Sequence, residues 1–146
     1  ACGWALMVRW IGVDPGAARV GLSISDEEER LAVPLEVVPA SAALPAIRSI
    51  AAREGAGGIV VGLPLTLKGN EGEAAVAARR LGARLARLGL PIEYTDERLT
   101  TWAAEEAVRE VSLLRSRRST RQKREIATDD LAAAILLQRF LDARHE

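Results

Sequence analysis

The period of the apolar and polar positions changes along the chain, and its first third has the two-residue period of strands. Residues 8–13 form an apolar run, and residues 19–25 alternate beyond a Pro-Gly turn, which predicts a hairpin. Residues 30–38 predict a third strand. Pro34 favours an edge position for it, because proline cannot donate a ladder hydrogen bond. We therefore predict an antiparallel meander of three strands.

Helical periodicity alternates with two further strands in the rest of the chain. Apolar residues at helical spacing predict four helices, at residues 44–54, 73–88, about 100–113 and about 129–143. Apolar runs at 59–65 and 91–95 predict the fourth and fifth strands. The order βββαβαβαα predicts an α/β fold. Its mixed five-stranded sheet has three antiparallel strands followed by two parallel ones, and helices flank it.

Single residues refine these boundaries and faces. Gly55, Gly57 and Gly58 are expected to end the helix at 44–54. The residues predicted to face the core from the helix at 73–88 are Ala77, Leu81, Leu85 and Leu88. Trp102 is predicted to be a core residue rather than a platform for base stacking.

Length and composition narrow the class of protein. A chain of 146 residues suits one domain, so we expect a single domain over 1–146, with residues 1–6 as an extension ahead of Met7. No apolar run approaches the length that spans a membrane. Cys2 is the single cysteine, which excludes an intrachain disulfide, and a cytoplasmic location is the simplest expectation.

Charge is balanced overall but uneven along the chain. The 20 basic and 20 acidic residues weakly disfavour a nucleic-acid binder, since such proteins often carry a basic excess. Residues 115–124 nevertheless hold six basic residues and no acidic one. We hypothesise that this segment clamps a phosphate backbone, with a solvated loop as the alternative. Its candidate contacts are Arg117, Arg118, Arg121 and Lys123.

Three carboxylates stand at the ends of elements that the predicted topology brings together. Asp14 closes the first strand, Glu97 follows the fifth, and Asp129, or the adjacent Asp130, begins the last helix. If strands one, four and five are neighbours, the first two acids share one edge of the sheet, and the last helix can place its N-terminus beside them. Clustered carboxylates cannot all stay ionised alone, but a hard divalent cation resolves their repulsion. Two Mg²⁺ or Mn²⁺ ions about 3.5–4 Å apart would stabilise an in-line phosphoryl displacement.

Each carboxylate also has an ordinary structural explanation. Asp14 suits the start of a Pro-Gly turn, and Asp129 suits the first turn of a helix, where the dipole favours an acid. Glu97 could pair with Arg98, which could equally orient Glu97 or contact a phosphate. The argument for a metal site therefore depends on the three acids lying together.

Four segments resemble, in order and spacing, the motifs of the YqgF/RuvX family, bacterial proteins with an RNase H-like fold. The four segments are IGVDPGAARVGLSISD, IVVGLPLTLKGNEG, TDERLTTWAAE and DDLAAAILLQRFLD. The resemblance covers nearly the whole chain from Met7.

The resemblance implies a metal-dependent endonuclease that uses Asp14, Glu97 and Asp129, with Asp130 as the alternative to the last. Family members are described as Holliday junction resolvases, acting in DNA recombination and repair, and as nucleases that mature the 5′ end of 16S rRNA. The implied partners are therefore four-way DNA junctions, precursor rRNA, or both. Symmetric incision of a junction would favour a homodimer.

The chain departs from the family pattern at two places that bear on substrate contacts. Arg19 is retained, but Ala17-Ala18 replace the usual Thr-Lys before it, so a phosphate-binding lysine is absent. Lys68 stands where the second motif commonly has aspartate. It reverses that charge, and it could itself hold substrate.

Two other classes of function stay open. The spacing of Asp14, Gly16 and Gly21 also fits the phosphate loop of actin-like ATPases and kinases. That class needs a second lobe, for which 146 residues leave no room. A catalytically silent nucleic-acid-binding module would bind substrate without metal-dependent cleavage.

Overall fold

A computed structural model describes residues 8–99, 102–118 and 128–145 of the chain; the side chains of residues 99, 115–118 and 128–130 lie outside this description. The five strands are β1 (Arg9–Pro15), β2 (Arg19–Ser25), β3 (Ala32–Pro39), β4 (Ala56–Leu63) and β5 (Ile92–Asp96). The four α-helices are α1 (Ala43–Glu54), α2 (Glu73–Ala86), α3 (Trp102–Arg118) and α4 (Thr128–Arg144). Short 3₁₀ turns at Ala40–Ala42 and Glu97–Leu99 complete the described elements.

The strands form one mixed sheet in the order β3-β2-β1-β4-β5. The pairs β1–β2 and β2–β3 are antiparallel, and the pairs β1–β4 and β4–β5 are parallel. The predicted sheet is therefore confirmed, including the neighbourhood of strands one, four and five. Pro34 lies on an edge strand, as predicted, beside an irregularity in the β2–β3 register.

Helices cover the sheet from both faces, and alternate residues of β1 divide between the two apolar clusters. Ile11 and Val13 pack with the buried residues of α1 and α2. Trp10 packs with α3 and α4, whose buried residues include Val108 and Leu137. This division follows from the two-residue period of a strand, which points successive side chains to opposite faces.

The predicted end of the first helix is partly wrong. Gly55 does end α1, in the left-handed conformation with φ of 63°. Gly57 and Gly58, however, lie inside β4, which begins at Ala56. They are needed there because Val8 and the Trp10 ring occupy the space that their side chains would fill. The glycine run therefore reflects close packing in a strand as well as a helix cap.

Two predicted core residues are exposed. Trp102 is 76% exposed because α3 contacts the rest of the molecule through a narrow stripe of buried residues, Ala104, Val108 and Ser112. Trp102 lies on the other side of the helix from that stripe. Ala77 is also exposed, since α2 buries Ala75, Ala78, Gly82 and Leu85 instead.

The predicted basic loop at 115–124 is wrong over its first residues, because α3 continues as far as Arg118. Residues 119–127 lie outside the described residues, and so do residues 1–7, where the N-terminal extension was predicted. Among the helices described, none is long and apolar enough to cross a membrane.

Candidate active site

Asp14 lies near the carboxyl end of the central strand β1, on the face of the sheet that α4 covers. It is half-buried, and its Cα pairs with Gly21 of β2. The same face of β1 carries Trp10, whose ring contacts Phe140 of α4 with centroids 5.0 Å apart. It also carries Gly12, whose absent side chain leaves room for the backbone of α4.

Glu97 follows β5 directly, and its carboxylate reaches back across the end of β4. A Cβ built on Gly62 of β4 would lie 2.6 Å from Glu97 Oε1, so only glycine leaves space for this carboxylate. The Oε1 atom is buried, and no described residue supplies it with a hydrogen bond. A buried carboxylate oxygen without a partner is costly, and it calls for a ligand.

The two carboxylates of Asp14 and Glu97 interact directly. Burial, a side-chain hydrogen bond with Asp14 and the charges of Asp14 and Asp96 together raise the pKa of Glu97 to about 8. At neutral pH and without a cation, Glu97 therefore holds a proton that it can donate to Asp14. Acidic side chains with such shifts cluster at functional sites.

These residues fit a hard divalent cation. The donor set consists of carboxylate oxygens, which Mg²⁺ and Mn²⁺ prefer, and one of these oxygens has no partner. Within the part of the chain whose side chains are described, no group of three or more His, Cys, Asp or Glu residues gathers as a metal site. The side chains of Asp129 and Asp130 belong to the part that is not described, so the predicted three-carboxylate cluster stays a prediction.

The backbone of α4 is held at a definite level along β1. Ser23 Oγ of β2 donates to Ala133 O at 2.8 Å, and a Cβ on Gly12 would lie 2.9 Å from the same oxygen. Asp129 precedes Ala133 by four residues of helix, about 6 Å, and Asp14 follows Gly12 by two residues of strand, about 7 Å. Because α4 runs from this end of the sheet toward Trp10, its first turn lies level with Asp14.

Arg98 pairs with Asp96 rather than with Glu97. Its Nη2 lies 2.8 Å from Asp96 Oδ2, and its Nη1 donates to Thr66 O at 3.3 Å. The ion pair holds the pKa of Asp96 below its ordinary value, chiefly through the side-chain hydrogen bond. Arg98 therefore connects the end of β5 to the segment between β4 and α2.

The other predicted substrate contacts are placed only in part. Arg19 is exposed at the start of β2, and Lys68 is exposed in the segment that follows β4. Arg19 follows the end of β1 and Lys68 follows the end of β4, and these two parallel strands end on the same side of the sheet, where Asp14 lies. Arg117 and Arg118 fall in the last turn of α3, with side chains outside the description. Arg121 and Lys123 lie beyond the described residues.

Sequence reasoning missed a buried carboxylate at the other end of α4. Glu29 is 3% exposed, although its acidic neighbours predict a solvated turn. Its Oε1 accepts a hydrogen bond from Trp10 Nε1, its Oε1 lies 3.6 Å from Arg144 Nη2, and its carbonyl lies 3.0 Å from His145 Nε2. Nothing local in the sequence distinguishes Glu29 from Glu27 and Glu28, because its partners are distant along the chain.

The sheet order, the two faces of helices and the carboxylates at the ends of β1 and β5 define an RNase H-like nuclease class. A family model described as "RuvX: Holliday junction resolvase" matches residues 8–143, and the chain belongs to this family. The resemblance read from the four motifs is therefore confirmed.

Named relatives and solved structures agree with this assignment. A protein of Chloroflexus aggregans, assigned by name to the pre-16S rRNA nucleases, is 43% identical over 138 residues, covering 92% of this chain and 93% of its own. A protein of the same name from an Anaeromyxobacter species is 44% identical over 142 residues, covering 94% and 99%. Thermus thermophilus RuvC in complex with a Holliday junction substrate has a TM-score of 0.59 at 17% identity. It covers 94% of this chain and 96% of its own, a likeness of fold.

Proposed function

We propose that this member of the family is a divalent-metal-dependent endonuclease whose site residues are Asp14, Glu97 and Asp129, with Asp130 as the alternative to Asp129. The observation that carries the proposal is the half-buried carboxylate pair of Asp14 and Glu97 at the ends of β1 and β5, in which the buried Oε1 of Glu97 has no partner among the described residues. Mg²⁺ or Mn²⁺, in a two-ion site, would supply an activated water and stabilise charge on the scissile phosphate.

The chain's own residues supply positioning and proton control at this site. Glu97 would give up its proton to bind a cation, which would turn a singly protonated pair into two ionised, chelating carboxylates. Gly62 lets the Glu97 side chain lie flat against β4, so that its carboxylate stays near Asp14. Arg98 forms an ion pair with Asp96, which offsets part of the negative charge that Asp96 adds beside the pair. Arg19, Lys68 and the basic residues at 115–124 are the proposed contacts to substrate phosphates.

We propose structured nucleic acid as the substrate, in the bacterial cytoplasm. The names of the relatives support precursor 16S rRNA, and the family description supports a four-way DNA junction. A homodimer would place two sites on a symmetric junction. Offering both substrates to the purified protein, with Mg²⁺, Mn²⁺ or EDTA, would separate these two substrates by their cleavage rates.

Asp14→Asn is the direct test of the proposed site. The amide keeps the shape but removes a charge that a cation requires, so we expect cleavage to fall by a factor of about 10³ or more while the melting temperature is retained. Glu36→Gln, at an exposed position of the edge strand β3, is the matched control and should cleave as the wild type does. Undiminished cleavage by Asp14→Asn would remove Asp14 from the mechanism.

The same assay decides between the nuclease and the two other classes. Binding of both substrates with no cleavage in either metal would indicate a silent binding module. Tight binding of Mg-ATP in calorimetry, without nuclease activity, would indicate the actin-like class instead.

A further inference from the structure

A cleft of about 560 Å³ lies between the β1–β2 turn and helix α2, and nothing described so far uses it. Its lining includes Val20 and, from α2, Ala77, Ala78 and Leu81, so its surface is largely small and apolar. Ala77 is the residue that periodicity predicted to be in the core, and it is exposed because it faces this space. The volume falls within the range of pockets that take small molecules or single nucleotides.

The position of the cleft relates it to the proposed site. Pro15 and Gly16 line it, and they follow Asp14 directly in the chain. The cleft therefore lies at the same end of β1 as Asp14 but on the opposite face of the sheet, and a nucleic-acid strand at Asp14 would reach it by passing over the β1–β2 turn.

Two arginines of α2 give the cleft a basic end. Arg80 and Arg84 line it, and at i and i+4 they lie on one side of the helix with Cβ atoms about 6 Å apart. Both are exposed, and neither forms an ion pair with any residue whose side chain is described. Their neighbour Arg79, by contrast, is engaged by Glu71 and lies over the Tyr94 ring. Two uncommitted guanidinium groups side by side are a phosphate-binding arrangement.

The opposite end of the cleft is acidic. Glu73 lines it two helical turns before Arg80, about 10 Å along the axis of α2. A carboxylate there can accept a hydrogen bond from the amino group of a base, whereas it would repel a phosphate. Along the cleft, the acidic end suits the edge of a base, the apolar middle suits its face, and the basic end suits a phosphate. These three groups occur in the same order in one nucleotide.

We propose that this cleft holds one unpaired nucleotide of the substrate strand where that strand passes over the β1–β2 turn, with the base on the alanine surface and the flanking phosphates on Arg80 and Arg84. Because a paired base is held inside the duplex by its partner, we expect the cleft to favour junctions, flaps or single-stranded leaders over continuous duplex. The inference deepens the proposed nuclease function and depends on it for the nature of the strand.

The test uses fluorescence anisotropy with the full chain in EDTA, so that binding is measured without cleavage. The probes are a splayed-arm oligonucleotide, a fully paired duplex of the same sequence, and a set of splayed arms with one abasic position each. Ala77→Leu fills the cleft from an exposed helix position, and Ala83→Leu adds the same bulk to α2 outside it. Arg80→Glu/Arg84→Glu is compared with Arg48→Glu/Arg87→Glu, which changes the charge equally at exposed positions elsewhere.

We expect Ala77→Leu to weaken binding of the splayed arm about tenfold and to leave duplex binding within about twofold. Among the abasic probes, one should bind the wild type about as weakly as Ala77→Leu binds the intact splayed arm. With that probe, Ala77→Leu should cause no further loss of affinity. The Arg80→Glu/Arg84→Glu variant should lower the slope of log affinity against log salt by about two.

Three results would overturn the cleft proposal. The first is that Ala77→Leu and Ala83→Leu weaken binding of the splayed arm equally. The second is that the two arginine double variants lower the salt slope equally. The third is that the wild type sediments as a dimer and Ala77→Leu sediments as a monomer. None of these outcomes bears on Asp14→Asn, whose loss of cleavage tests the nuclease itself. Failure of the cleft proposal can therefore be distinguished from failure of the proposed nuclease function.

Discussion

Glu97 carries the clearest electrostatic signature of the molecule, and it governs how the site responds to pH. Its raised pKa arises first from burial and then from the neighbouring carboxylates, so the metal-free pair holds a proton at pH 7. A cation must displace that proton in order to bind. The site is therefore suited to a cation, and without one its two carboxylates are destabilised by burial and by their mutual repulsion.

The affinity for Mn²⁺ should rise with pH until Glu97 is ionised. With a pKa of about 8, we expect the apparent affinity to increase by up to about tenfold per unit from pH 6 to pH 8 and to level off above that. Titration calorimetry in two buffers of different ionisation enthalpy would count the proton released. Glu97→Gln should lose both the slope and the proton, and a Glu97→Gln protein with the wild-type slope would assign the titration to another group.

Glu97 should also make the metal-free protein less stable at alkaline pH. The folded pKa lies above the unfolded value near 4.5, so the folded state binds the extra proton between these values and stability falls as pH rises through 8. Glu97→Gln should leave the free energy of unfolding nearly unchanged at pH 4. At pH 9 it should raise that free energy by about 1–2 kcal/mol, after allowance for solvent screening. Urea denaturation in EDTA at both pH values measures this difference.

The control for that measurement is Glu36→Gln, whose exposed side chain should give no pH-dependent difference. An equal stabilisation by Glu97→Gln at pH 4 and pH 9 would mean that packing, and not charge, is responsible. Since a cation supplies the missing counter-charge, saturating Mn²⁺ should remove the advantage of the amide at pH 9.

Helix α4 is the element on which the geometry of the site depends, because it carries the proposed third ligand. Its level along β1 is set by Ser23, whose hydroxyl donates to the backbone oxygen of Ala133, and by Gly12, on which a Cβ would lie 2.9 Å from the same oxygen. These are positioning residues, since neither lies at the carboxylates. Sequence reasoning did not identify them, because a serine and a glycine in alternating strands carry no signal of a helix packed closely above.

Ser23→Ala should loosen α4 without unfolding the chain. Loss of one buried hydrogen bond costs about 1 kcal/mol of stability. We expect kcat and Mn²⁺ affinity to fall about tenfold with KM little changed, because the phosphate contacts remain. Ser49→Ala, at an exposed position of α1, controls for loss of a hydroxyl. A fall in stability with unchanged kcat and Mn²⁺ affinity would reduce Ser23 to a merely structural role.

The elements themselves were largely predictable from the chain, and the exceptions have physical causes. Strand alternation at 19–25 and the apolar run of β4 reflect local periodicity, which is written directly in the sequence. The position of Trp102 was not predictable, since it depends on which narrow stripe of α3 meets α4. The burial of Glu29 depends on Trp10 and Arg144, which only the folded topology brings to it.

The candidate site shows the same limit. That Asp14 and Glu97 share an edge followed from the order of strands, which the sequence supports. That Glu97 Oε1 is buried against Gly62 needed the structure, because a glycine within an apolar strand gives no sign in the sequence that a carboxylate packs against it. The positions of the acids in the sequence therefore predicted a carboxylate site, whereas the burial of Glu97 and its raised pKa could be found only from the structure.

The molecule as a whole is electrically neutral, which sets how it can hold a polyanion. With 20 basic and 20 acidic residues, no general attraction brings nucleic acid to its surface. Affinity must come from local groups of basic residues, and the run at 115–124 is the densest of these along the chain. Binding should therefore depend on a few charges and respond steeply to their removal.

Reversing Arg117, Arg118 and Arg121 tests this dependence. Each phosphate contact contributes about one unit to the slope of log affinity against log salt, so we expect the Glu variants to lower the slope by about three. Binding of the splayed arm at 50 mM salt should weaken by a factor of about 10² or more, measured by anisotropy in EDTA. Arg48→Glu/Arg87→Glu, which changes exposed positions elsewhere in the sequence, should change the slope by less than about one. If the triple variant kept its affinity at low salt, the run would be a solvated segment, and the phosphate contacts would have to come from Arg19, Lys68 and the cleft arginines alone.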